Sequence, residues 1–168
     1  MTKYDNDHMT LGQEIKKYLI FTLSDNIYGV QLSSVREVIG VQSCIPVPSA
    51  PVYFLGLLNL RGRVVSAIDL KKKIGMNLKS LAQTKRPAII ITEVGGVSLG
   101  CQVDSIVEVL SIDEERIDRT LQVDVQNQKE FIEGIARFKD RPMILILDFK
   151  KAADISELIK IKNLAQAS

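Results

Sequence analysis

A chain of 168 residues suffices for one large domain or two small ones sharing a core. Its 22 basic and 20 acidic residues leave a net charge of +2, which excludes the basic stripe of a nucleic-acid binder. Apolar residues make up 46%, mostly Ile, Val and Leu with no Trp, the composition of a soluble globular protein rich in strands.

The N-terminus is polar and has no apolar segment of the kind a secretory signal needs; residues 1–16 are expected to be a disordered tail. His8, the only histidine, lies there and reads as a solvated residue. From Lys17 the pattern turns to strands. Tyr18–Leu23 and Ile27–Leu32 flank turn chemistry at Ser24-Asp25-Asn26 and form a hairpin. Ser33–Ile39 is a third strand; extended, it sets Val35 and Glu37 on one face and Arg36 and Val38 on the other. Pro46, Pro48 and Pro51 make a rigid loop that cannot donate to a sheet.

Two apolar strands follow, Gly56–Leu60 and Arg63–Asp69, joined at Arg61-Gly62, where Gly62 supplies positive φ for a close turn. Lys71-Lys72-Lys73 is a solvated basic run, with a patch for an acidic partner as its other reading. Residues 72–86 read as a polar crossover with a helical turn. Ala88–Glu93 and Val97–Val103 form a hairpin about Gly95-Gly96, and Ser105–Ile112 is a further strand. Asp113–Glu130 is a long polar loop. Phe131–Phe138 and Pro142–Leu147 form the last hairpin. Ile155, Leu158 and Ile159 stand at helical spacing, but Lys162 interrupts the stripe, so the C-terminal helix is expected to be short and weakly docked.

The two halves repeat. Gly29–Val38 lies over Gly100–Val109 without a gap, with Gly, Gln, Ser, Glu and Val in register. Gly56–Asp69 lies over Gly134–Asp148 with one inserted residue. Each half thus holds a hairpin, a third strand, a long loop and a second hairpin, which suggests two small barrels, since closure removes exposed edges. The expected boundaries are a first barrel at about 17–71, a crossover at 72–86, a second barrel at about 87–149 and a C-terminal helix and tail at 150–168. The turn Asn59-Leu60-Arg61-Gly62 becomes Arg137-Phe138-Lys139-Asp140 in the second copy, and the proline loop has no counterpart. For a docking body, that divergence indicates two different surfaces.

Catalytic machinery is missing from the pattern. One tail histidine gives no Ser/His or Cys/His couple, and no His, Cys, Asp and Glu set has metal spacing. Cys44 and Cys101 are far apart, and Cys101 reads as a small core residue. Asp69, Asp104 and Asp148 are strand-end acids with turn roles. No glycine-rich loop precedes a helix, so no nucleotide cofactor is expected. No apolar run is long enough to cross a bilayer, and the expected compartment is the cytoplasm. A β body with polar loops and selected apolar surface suggests protein–protein recognition.

From about Tyr18 to Asp148 the chain resembles the CheW family of bacterial chemotaxis coupling proteins. The most specific segment is Gly56-Leu57-Leu58-Asn59-Leu60-Arg61-Gly62, followed by Val64-Val65 and Ile68-Asp69-Leu70. Tyr28-Gly29, Val35-Arg36-Glu37-Val38, Val103-Asp104, Val109-Leu110 and Met143-Ile144-Leu145 support it. Ser66 departs from the proline that many members carry. The resemblance implies a mainly β fold of two SH3-like five-stranded barrels about a pseudo-twofold axis, and an adaptor without catalysis or cofactor. Its implied partners are the cytoplasmic tip of a methyl-accepting chemoreceptor, the regulatory domain of a CheA-type histidine kinase, and other CheW-like domains in arrays, with no direct membrane insertion. The positions it implicates in receptor contact are Val35, Glu37 and Arg61, with Ala88 lining the same groove. For Glu37, a solvated charge or an intramolecular partner of Arg61 is the other reading. For kinase contact the candidates are Gly56, Leu121 and Val123. A related pathway, such as one controlling surface motility, and a ligand-binding β-barrel are the alternatives.

Overall fold

The structure is a computed structural model and describes residues 14–76, 86–120 and 128–167. Among the described residues eleven strands alternate with helical pieces. The first-half strands are β1 (Ile15–Leu23), β2 (Asn26–Gln31), β3 (Val35–Gly40), β4 (Phe54–Leu60) and β5 (Arg63–Asp69). The second-half strands are β6 (Ala88–Val94), β7 (Val97–Val103), β8 (Ser105–Asp113), the two-residue β9 (Ile117–Asp118), β10 (Ile132–Ala136) and β11 (Ile144–Leu147). Helices α1 (Leu70–Lys73), α2 (Phe149–Ala152) and α3 (Ile155–Gln166) complete the order. Strand β1 takes in Ile15 and Lys16, which were expected in the tail.

The strands form two sheets, in the orders β8-β1-β2-β11-β10-β9 and β3-β6-β7-β5-β4. The sheets do not follow the sequence halves, and the expected barrel boundaries at 17–71 and 87–149 give way to an exchange. Hairpin β1–β2 of the first half joins strands of the second, and hairpin β6–β7 joins β3, β4 and β5. The exchange is symmetric: β2 pairs in parallel with β11, as β7 does with β5. With β9 set aside, each sheet therefore has the same five-strand order, the pseudo-twofold pair of barrels expected from the repeat.

Apolar alternation sorts the side chains into three cores. Tyr18, Ile20, Ala136, Ile144 and Ile146 fill the first barrel. Their repeat equivalents Ile89, Ile91, Leu58, Val65 and Ala67 fill the second. Opposite faces of the same strands meet in a large shared core that includes Phe21, Tyr28, Ile68, Ile90, Leu99, Cys101 and Leu147. Burial raises the Cys101 thiol pKa well above its ordinary value, which suits its place as a core residue.

The chain ends of the strands are capped in matching ways. Asp69 and Asp148 occupy equivalent repeat positions and each N-caps a short helix, accepting from Lys72 N at 3.3 Å and Lys150 N at 2.9 Å. Asp104 sits where the chain passes from the second sheet to the first. It accepts from Ser24 N at 2.6 Å and from Lys71 Nζ at 2.8 Å. Lys73 lies 4.2 Å from the Tyr53 ring, so two of the three lysines in the basic run have partners within the chain.

Helix α3 is longer and better docked than its sequence suggested. Its buried stripe is Leu158 and Ile161 with Ala165 packed beside them, a spacing that passes Lys162 by. Fully burying two such side chains contributes about 1.5–3 kcal/mol each. Asp154 caps the helix, accepting from Glu157 N at 3.0 Å, and Tyr53 hydrogen-bonds the Glu157 carboxylate.

Candidate docking surface

The β4–β5 hairpin closes in two residues, with Leu60 opposite Arg63. Both turn residues have positive φ, 53° at Arg61 and 82° at Gly62, as a type I′ turn requires. The sequence accounts for Gly62. Arg61 is the unexpected one, since a non-glycine residue in the left-handed region costs about 1 kcal/mol or more. Asn59 Oδ1 accepts from Gly62 N at 2.8 Å and supports the turn.

This conformation carries the Arg61 side chain to the third strand. Arg61 Nη2 donates to Glu37 Oε2 at 2.9 Å, so Glu37 is an intramolecular partner of Arg61. Strands β3 and β4 are the two outer strands of their sheet, and the ion pair spans the seam between them. Two further arginines stand on this rim. Arg36 Nη2 donates to Glu93 Oε2 at 3.1 Å, and Arg63 reaches the same oxygen at 3.9 Å and Ser98 Oγ at 3.3 Å. Sequence reading missed Arg36, Arg63 and Glu93; the run of charges flanking both turns was the available signal.

The sequence placed Val35 and Glu37 on one face. A bulge at Arg36 corrects this: Val35 lies opposite Thr92 and Glu37 opposite Ile91, adjacent residues whose side chains point to opposite faces. Val35 packs against the shared core and borders a cleft of about 700 Å³ between the sheets, with Arg36, Glu93, Glu133 and Lys150 along its walls. Glu37 turns the other way, toward Arg61. The cleft and the charged rim therefore adjoin through β3 and share Arg36 and Glu93.

Ala88, expected in the groove, is 8% exposed and packs in the shared core, opposite Gly40 and Val103. Gly56, expected at a kinase surface, is also buried. Its φ is 141°, and a Cβ there would lie 2.4 Å from the Ile45 carbonyl oxygen. The proline loop returns across this point through paired bonds between Ile45 and Leu57, and only glycine lets the backbones approach so closely. Leu121 and Val123 lie outside the described residues.

Among the described residues no group of three His, Cys, Asp or Glu side chains could hold a metal ion. Nor is any described helix long and apolar enough to cross a membrane. The titratable groups with strong perturbation are structural. Burial raises the Glu114 carboxyl, but hydrogen bonds from Tyr18 and Arg119 and the charges of Arg119 and Lys16 outweigh it and hold the pKa below the usual value.

The family model described as "CheW-like domain" matches residues 17–157. The chain is 32% identical over 137 residues to the probable chemotaxis protein CheW of Rhizobium etli, covering 82% of this chain and 87% of that one. It is 28% identical over 158 residues to the chemotaxis protein CheW of Treponema pallidum, covering 93% and 92%. The crystal structure of scaffolding protein TtCheW from Thermoanaerobacter tengcongensis superposes with a TM-score of 0.75 at 33% identity, covering 86% of this chain and 96% of that one. With a solved structure of the same fold and a family model spanning nearly all of its described length, the chain belongs to the family of CheW-like domains.

Proposed function

We propose that this chain is a non-catalytic adaptor that couples a methyl-accepting chemoreceptor to a CheA-type histidine kinase. The observation that carries the reading is the family match over residues 17–157, to relatives named chemotaxis protein and scaffolding protein. The rim supplies a physical means. Arg61, Glu37, Arg36, Arg63 and Glu93 present alternating charge beside the half-buried apolar side chain of Val35. Such a surface fixes the register of a helical partner, contributing specificity and association rate more than affinity. The receptor tip is the partner assigned to it.

Titration of the chain with a cognate receptor cytoplasmic fragment and with the kinase regulatory domain tests the reading. Binding to both, with a ternary complex in size-exclusion chromatography, is expected. Absence of binding to either partner overturns it.

A further inference from the structure

We propose that the rim of the first barrel, around Phe138, is a second docking surface, and that its occupant is a protein segment presenting carboxylates beside an apolar side chain. Its position follows from the repeat. Glu108 lies over Glu37, and the β10–β11 turn lies over the β4–β5 turn. Although the turn sequence has changed, the seam ion pair recurs: Arg141 Nη1 donates to Glu108 Oε1 at 2.7 Å. The molecule thus has two equivalent rims of unlike chemistry.

At the Arg61 rim an aliphatic Leu60 packs into the barrel core, and Arg36, Arg61 and Arg63 are all ion-paired. At the other rim the equivalent of Leu60 is Phe138, partly buried, with the guanidinium of Arg141 at 5.6 Å from the ring centroid and that of Arg116 at 5.9 Å. These residues line an open cleft of about 500 Å³ together with Lys139 and Asp140. Among the described residues Arg116 and Lys139 make no salt bridge, while Asp140 and Glu108 are the carboxylates beside them.

A guanidinium stacked on a ring keeps its N–H edge available, and its planar fork matches a carboxylate. Stacking also holds the side chain in place, so less conformational freedom is lost when a ligand binds. The ring and its cations therefore favour an acidic segment with an apolar residue at its centre, rather than a basic or purely apolar one. This inference rests on the rim itself and not on the receptor assignment.

The test is a titration of the isotope-labelled full chain, followed by NMR, with a capped glutamate-rich peptide carrying one central leucine. A control peptide has glutamine for every glutamate. The acidic peptide is expected to shift the amides of Arg116, Phe138, Lys139 and Arg141. Lys139→Glu, an exposed change that breaks no internal ion pair, should weaken that binding by about tenfold. Lys139→Ala should weaken it less. Shifts confined to other parts of the chain, no binding, equal binding of the glutamine peptide, or unchanged affinity in Lys139→Glu would each overturn the proposal.

Discussion

Arg61 reaches across the open seam of its barrel to Glu37 at 2.9 Å, from a turn position that an arginine occupies only at a cost in backbone energy. The pair is exposed on the arginine side, where the side chain keeps 76% of its accessible surface. Exposed pairs contribute only about 0–1 kcal/mol to stability. An interaction so small does not offset the left-handed turn, so the fold supplies little reason for arginine at this position.

Charge exchange separates fold from docking. Arg61→Glu and Glu37→Arg should each lower stability by no more than about 1 kcal/mol, and combining them should restore most of that loss. Receptor affinity should fall by about 1–3 kcal/mol in Arg61→Glu and stay low in the double variant, because the partner meets reversed charges. Urea midpoints and receptor titrations on the same samples check both halves.

Gly56→Ala should be among the most damaging single substitutions in the chain. Its φ of 141° and the 2.4 Å approach to Ile45 O leave no room for a methyl group. The expected loss is about 3 kcal/mol or more, from backbone strain together with a steric clash. A denaturation midpoint close to the parent value would show that the loop relaxes instead.

Asp104 ties the passage between sheets to Ser24 and Lys71 while 8% exposed. Asp104→Ala should cost about 2–4 kcal/mol, since it leaves a backbone N–H and a lysine without their partner. Asp104→Asn keeps one acceptor and should cost less. Because the barrels share exchanged hairpins, unfolding followed by strand and by tyrosine signals should remain a single transition in both variants.

Glu114 sets an acid limb on stability. Its folded pKa lies below the usual value, so its contribution is complete above the unfolded pKa and is lost as pH falls through the folded one. Tyr18→Phe removes a hydrogen bond of 2.5 Å to that carboxylate. It should cost about 1–2 kcal/mol near neutral pH. With the folded pKa raised toward the unfolded one, the loss on acidification should become smaller and end at higher pH, as a pH series of thermal midpoints would show.

The sequence carried every main strand, because apolar alternation and turn residues are local. It also carried the pseudo-twofold, through the ungapped match of Gly29–Val38 to Gly100–Val109. The hairpin exchange was not legible. Which sheet β1 joins depends on pairing with β8, some ninety residues away, and a repeat predicts the same strands whether or not they are exchanged. The bulge at Arg36 was equally hidden, and it moved Val35 and Glu37 to opposite faces. In α3 the count favoured Ile155, Leu158 and Ile159, whereas the docked stripe is Leu158, Ile161 and Ala165, chosen by the shape of the shared core. Glycine at position 56 read as part of a motif; only the path of the proline loop over it explains why a side chain is excluded.

The most direct measurement is receptor titration of Arg61→Gly alongside the parent chain. Glycine adopts the φ of 53° without strain, so the variant should fold as well as the parent or be up to about 1 kcal/mol more stable. The account predicts that it nevertheless loses about tenfold or more in receptor affinity. Unchanged affinity in a folded Arg61→Gly chain would contradict a docking role for Arg61, and collapse of the fold would return that arginine to the scaffold.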